Sequence, residues 1–296
     1  MAAEPLPIKG LSFGQRKDRR RSINRSLLSI TPENSNLQFA SPLFSVLPAE
    51  LRNQIFALAC SQYRDTSRLV KGIHPRVCRP SHRHPVRTCT SLLRTCRLIY
   101  YETHVIPLQS ATHYGDTVRA WPNYVFHLTR AQQLNLFHLH VSVYDYGDRD
   151  LKFFDKFTRG DGMYWKRITV LKNWYTRMPD LWVRPEGTRP SHALPIQVPL
   201  SCSEFVFELE VLPVWVKKNE YRGMEEAEEY VRRMETYKVL KIDGSSFARA
   251  PSRVERFSWT APNKPELDTR AAVDMENVAP KCDVFRIVWK GDAHFN

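Results

Sequence analysis

The sequence predicts an α+β protein: N-terminal helices packed on a mostly antiparallel sheet region that carries one long amphipathic helix. Three observations predict it. Apolar residues recur at helical spacing between Ser41 and Pro107, and again around Val231. Between and after these stretches they mostly alternate with period two. The two patterns come in blocks and not as alternating strand–helix units, which favours α+β over a doubly wound sheet. Three regions follow: a basic tail over 1–40, a helical region with a long basic insert over 41–108, and the α+β region over 109–296.

The tail is polar and without periodicity, the pattern of a disordered arm. Its run "RKDRRR" places Arg16, Lys17, Arg19, Arg20 and Arg21 together, a candidate nuclear-localisation patch. Helix character begins in "SPLFSVLPAELRNQIFALAC". Pro48 suits a first helical turn, where its missing N–H is harmless. Glu50 complements the helix dipole, and Leu51, Ile55, Leu58 and Ala59 recur at helical spacing. Phe44, Val46 and Leu47 lead into it. The second helix is expected in "TSLLRTCRLIYYETHVIP", capped by Thr90 or Ser91, striped by Leu92, Leu93, Cys96, Ile99, Tyr100 and Thr103, and ended by Pro107.

Beyond it, "YVFHL", "FHLHVSVYDY", "KRITVLKNW", "EFVFELEVL", "RVERFSW" and "DVFRIVW" read as strands. Leu139, Val141 and Val143 face one way, with His138, His140 and Ser142 opposite. Phe205, Phe207, Leu209 and Val211 share a face, as do Phe285, Ile287 and Trp289. "RAQQLNL" reads as a short helical turn. "EEAEEYVRRMETYKVL" is the long amphipathic helix, with Met224, Ala227, Val231 and Met234 inward and Glu228–Arg232 and Glu229–Arg233 as i, i+4 pairs. Proline-rich stretches around residues 178–199 and 258–280 read as loops.

The chain has 296 residues and a net charge of +13. Such a surface attracts polyanions, so a basic nuclear protein associated with nucleic acid is the alternative function. No run is long and apolar enough to span a membrane, and no secretory signal is visible. Nuclear and/or cytoplasmic location, with reduced cysteines, is therefore expected. No phosphate-binding glycine loop, nucleophile elbow or zinc-protease signature occurs, and the chain reads as a non-enzyme. In "CRPSHRHPVRTC", Cys78, His82, His84 and Cys89 have the ligand types of a tetrahedral zinc. Against zinc, H-x-H is tight, C-x2-C is absent, and Arg76, Arg79, Arg83 and Arg87 crowd a dication. The expectation is an irregular basic loop between two helices with no cofactor, zinc being the alternative.

Two stretches carry a resemblance. "LPAELRNQIFALA" resembles the first helix of an F-box, and "LLRTCRLIYYET" resembles a later F-box helix with its Cys-Arg pair. Together they are similar to a fungal F-box-like family of unknown function, related to two-EXR proteins; Glu50–Arg52 supplies the first E-x-R. The resemblance implies an interaction module, in its specific form an adaptor that joins a cullin ubiquitin ligase by docking a Skp1-like subunit and holds an unknown protein substrate. By matching positions, Leu47, Pro48, Leu51, Ile55 and Leu58 supply the docking face, as anchors of a helix in a groove. The long insert, residues 61–90, departs from the compact F-box pattern.

Overall fold

A computed structural model gives the fold and describes residues 14, 15, 18, 27, 29–68, 79, 84, 86–115, 128–143, 164–175, 196–212, 222–260 and 281–291. The chain mixes helices and sheets and divides into two compact units. The first joins Met1–Ser61 to Cys89–Pro107, and the second joins Gln62–Thr88 to Leu108–Asn296. Among the described residues no helix is long and apolar enough to cross a membrane.

In the first unit, α1 (Pro42–Ser45) is a single turn and α2 (Ala49–Ala59) is the main helix. Pro48 is the N-cap of α2 with ψ 153°, one place earlier than the first-turn position expected for it. The second expected helix is broken. A 3-10 turn covers Leu92–Arg94, and α3 spans only Arg97–Thr103. Cys96 breaks the run: its backbone is extended (φ −156°, ψ 165°), and its Sγ accepts the Ile99 N–H as an N-cap. Pro107 does not end this helix. It lies in the first turn of a further short helix, α4 (Ile106–Ser110), where a missing N–H leaves no bond unmade.

In the second unit, the insert is not an irregular loop throughout. Its ends pair as antiparallel strands, β1 (Gln62–Arg64) with β2 (Val86–Thr88), Gln62 facing Thr88. The main sheet has six strands. They are β3 (Thr112–Gly115), β4 (His138–Val143), β5 (Arg167–Tyr175), β7 (Glu204–Leu212), β10 (Arg253–Thr260) and β11 (Lys281–Lys290), in the order β10-β11-β7-β5-β4-β3. A one-turn helix, α5 (Arg130–Gln133), precedes β4 and is fixed by a capping box between Thr129 and Gln132.

The pairings β3–β4, β4–β5 and β5–β7 are parallel, and only β7–β11 and β11–β10 are antiparallel. The expected mostly antiparallel sheet is thus corrected to a mixed one. The long segments between β3, β4, β5 and β7 return the chain to the same end of the sheet, as a parallel pair requires. Alternation within a strand carries no information on strand direction.

A second sheet has three strands in the order β6-β8-β9, from β6 (Ile196–Val198), β8 (Val239–Lys241) and β9 (Ser246–Ala248). The remaining helix, α6 (Arg222–Glu235), stops at Glu235 because the chain after it turns into β8, so it is shorter than the stretch to Leu240 expected from sequence. Its expected i, i+4 pairs are replaced: Arg232 meets Glu229 at i+3, and Glu228 meets Arg256 of β10.

One face of the main sheet is the apolar core. Leu139, Val141, Ile168, Val170, Phe205, Phe207, Leu209, Phe285, Ile287 and Trp289 pack with Ala227, Val231 and Met234 of α6 and with Ile196, Val239 and Phe247 of the small sheet. Each of these large side chains contributes about 1.5–3 kcal/mol by leaving water. Gly291 allows the close approach of Phe247, since a Cβ there would lie 2.7 Å from the ring.

Candidate functional site

Two places in the described residues carry more chemistry than their fold requires. The first is α2. Arg52, the arginine of "ELR", reaches from α2 to α3 and donates to both carboxylate oxygens of Glu102, from Nη2 (3.1 Å) and Nε (3.3 Å). Its Nη1 donates to the Leu47 carbonyl at 2.8 Å, and its guanidinium lies 5.4 Å from the Phe44 ring centre. One side chain therefore ties "LPAELR" to "YYET", the two stretches that looked alike to one family. Phe56 is the one fully buried side chain of α2.

With Arg52 and Phe56 turned inward, the row Leu51, Ile55 and Leu58 faces outward. These side chains are 45%, 43% and 77% exposed, and Val46 ahead of them is 73% exposed. Of the other residues in this candidate face, Leu47 is half-buried and Pro48 is exposed. A stripe at helical spacing ordinarily marks a core face; here it is solvent-facing.

The basic-patch residues Arg16, Lys17, Arg19, Arg20 and Arg21 lie outside the described residues, as do Cys78 and His82 of the Cys/His run. His84 is described: its Nδ1 is 2.9 Å from the Arg68 carbonyl, and a carbonyl only accepts, so that nitrogen carries the proton. Cys89 is half-buried. Among the described residues no three His, Cys, Asp or Glu side chains converge as metal ligands. Of the histidine pair on β4, His138 is half-buried and His140 is buried, with its ring 5.0 Å from that of Tyr114. Trp165 is fully buried in the core. The Cys202 thiol is pushed up to about 12 by burial, which leaves it unreactive.

The second place is the other face of the main sheet. Val206, Glu208 and Glu210 of β7 point there, and the two glutamates are 3% and 0% exposed. Arg79 of the insert, 6% exposed, inserts between them. Its Nη1 donates to Glu208 Oε2 at 2.8 Å and its Nε to Glu210 Oε1 at 3.0 Å. Arg286 of β11 donates from Nε to Glu208 Oε1 at 2.8 Å, with Nη2 2.7 Å from the same oxygen. Trp259 of β10 donates its indole N–H to Glu210 Oε1 at 2.8 Å. Both guanidiniums lie over the Phe257 ring, Arg79 Cζ 5.8 Å and Arg286 Cζ 5.0 Å from its centre.

The two carboxylates are not equivalent. Burial works to raise Glu208, but the Arg79 and Arg286 guanidiniums outweigh it and hold the carboxyl below the usual range. Burial raises Glu210, and the Arg79 guanidinium and the Trp259 N–H only partly offset it. Glu210 Oε2 and Arg79 Nη2 have no hydrogen-bond partner among the described residues.

Sequence reasoning missed this cluster. Alternation put Phe205, Phe207, Leu209 and Val211 on one face and left Glu208 and Glu210 opposite them without a role, and Arg79 was one of several arginines in a run read for metal. The available signal was Val206, Val284 and Val288 on that same face. Strands apolar on both faces are covered on both.

Comparison of the chain with protein-family models, with curated proteins and with solved structures found no match.

Proposed function

We propose that the protein is a protein–protein interaction module and not an enzyme, and that its partner docks on the outward row of α2. The specific form of this reading is an F-box-type adaptor that joins a Skp1-like subunit of a cullin ubiquitin ligase and presents an unknown protein substrate, in the nucleus or the cytoplasm. The observation that carries it is the exposure of Leu51, Ile55 and Leu58 at i, i+4 and i+7 on one helix. An amphipathic helix enters an apolar groove through anchors at that spacing. Arg52 supports the reading from behind, because its bonds to Glu102 and Leu47 fix α2 without using the row.

The test is recovery of the Skp1 subunit of a fungal host with tagged full-length protein. Wild type is expected to recover it. A Leu51→Ala/Ile55→Ala/Leu58→Ala variant is expected to lose it, and Leu47→Ala/Pro48→Ala to weaken it. Equal recovery by all three proteins, or none by wild type, removes the adaptor reading.

A further inference from the structure

A serine or threonine followed directly by proline occurs twice in the chain, at Thr31–Pro32 and at Ser41–Pro42. Both pairs lie in the first unit, ahead of α2. Their hydroxyls have different surroundings. Thr31 is built into a tight turn. Its N–H donates to Asn34 Oδ1 at 3.0 Å, and its carbonyl accepts from Ser35 Oγ at 2.7 Å. Its hydroxyl donates to the Glu33 carboxylate, and this bond holds that carboxyl below the usual range. Ser35, which closes the turn, is buried.

At Ser41 the backbone is engaged and the side chain is not. The N–H donates to the Gln38 carbonyl at 2.8 Å, and the carbonyl accepts from the N–H groups of Phe44 and Ser45, both at 3.0 Å. The Oγ makes no capping bond to α1 and no other hydrogen bond among the described residues. Ser41 is half-buried, but Phe39, Ala40 and Pro42 around it are exposed, Phe39 by 75%. The backbone at Ser41 is extended, φ −90° and ψ 122°, the conformation that a following proline favours. Beyond it, α1 is a single turn with no buried residue, and such a turn opens at little cost.

An extended segment with an unbonded hydroxyl is the form in which a protein kinase takes its substrate. A proline after the hydroxyl selects among kinases by a physical rule. A pocket that offers no acceptor to the next residue leaves its N–H buried and unpaired, a cost that proline, having no N–H, avoids.

We propose that Ser41 is a phosphorylation site for a proline-directed protein kinase and that Thr31 is not. Ser41 Oγ attacks the γ-phosphorus of ATP, the bond from that phosphorus to the ADP oxygen breaks, and the hydroxyl proton passes to the base of the kinase. The product carries a charge of about −1.5 to −2 where a neutral hydroxyl stood. That charge heads the segment that runs through α1 into Leu47 and Pro48. The site goes beyond the docking reading of α2 and does not depend on it.

The experiment uses the full-length chain as wild type, Ser41→Ala, Pro42→Ala and Thr31→Ala. Each is incubated with ATP and an active mitogen-activated protein kinase, and phosphate is located by mass spectrometry of proteolytic fragments. Wild type and Thr31→Ala are expected to take phosphate on Ser41. Ser41→Ala is expected to lose it, and its fold is kept because the deleted hydroxyl holds no bond. Pro42→Ala keeps the serine and is expected to lose the phosphate as well. A wild type without phosphate on Ser41 overturns the proposal. So does a Ser41 modified equally in Pro42→Ala, or a Thr31 modified as fast as Ser41.

Discussion

Each unit is built around an arginine that joins stretches far apart in sequence, and the two arginines differ in how much water they have given up. Arg52 and Glu102 are 16% and 21% exposed and meet as a two-pronged pair. Arg79 is 8% exposed at its side chain, between Glu208 at 5% and Glu210 at 0%. The first pair keeps part of its hydration and gains modestly from contact. The second gains far more from each contact and loses far more if one is removed, because the surviving charges cannot return to water. The same contrast runs through the surroundings. Around Arg52 the apolar row faces solvent; around Arg79 the charges face inward. The unusual placement, in each unit, is the part that the fold alone does not require.

Removing Glu208 sets the upper end of this contrast. Glu208→Gln leaves Arg79 and Arg286 facing a neutral amide in a buried site. The expected loss is about 3–5 kcal/mol, read as a shift of the urea midpoint at unchanged slope. A loss below about 1 kcal/mol would mean that water reaches the cluster and that it behaves like a surface pair.

The pH dependence sharpens the difference between the two carboxylates. Glu208 lies below its usual value when folded, so its contribution is complete above the unfolded value of about 4.3 and is lost as pH falls through the folded value. Glu210 lies above it, so its contribution has the opposite sign: complete at low pH, declining as pH rises through its folded value. Glu210→Gln keeps an amide oxygen for Trp259, and its cost near pH 7 is expected to be about 1 kcal/mol. The gap between Glu210→Gln and wild type should move in favour of the variant as pH is raised from 4 to 8. Urea titrations at several pH values check this. A gap that stays constant, or moves the other way, would show that Glu210 is ionised in the fold without penalty.

The legible part of the fold was the part in which one face of an element is apolar and the other polar. Phe205, Phe207 and Leu209 on β7 and Phe285, Ile287 and Trp289 on β11 announced the core, and Ala227, Val231 and Met234 announced the face of α6 that meets it. Chain direction was not legible, because β3, β4 and β5 alternate in the same way whether they pair parallel or antiparallel. The break at Cys96 was hidden because the apolar spacing runs through it, while the backbone there is extended. Glu208 and Glu210 were hidden because their partner Arg79 lies more than a hundred residues away. Leu51, Ile55 and Leu58 were legible as a stripe, but a stripe does not say whether it meets a core or a partner. The inward turn of the neighbouring Arg52 and Phe56 places the stripe at the surface and not in the core.

The Arg52–Glu102 pair falls between the extremes. Arg52→Ala removes the bonds to Glu102 and to the Leu47 carbonyl together, and a loss of about 1–2 kcal/mol is expected, since hydrogen bonds to charged groups contribute at that level. The pair itself is isolated by the cycle of Arg52→Ala, Glu102→Ala and the double variant. A coupling of about 0.5–1 kcal/mol is expected for a half-hydrated pair. Zero coupling would mean that Arg52 acts only through Leu47 and Phe44, and the two family-like stretches would then not be tied by charge.

The smallest effect is expected on the row itself. Leu58 is 77% exposed, so Leu58→Ala exposes almost no new apolar surface and opens no cavity. Alanine is also the best helix former, which offsets what little packing is lost on α2. The expected change in stability is within about 0.5 kcal/mol, measured in the same urea titration as the other variants. Leu58→Ala is therefore the variant in which binding and folding separate. If it unfolds the first unit as Phe56→Ala would, Leu58 is a core residue and the outward row is not free to dock. If stability holds and recovery of the partner falls, the row is a surface kept apolar for something other than the fold.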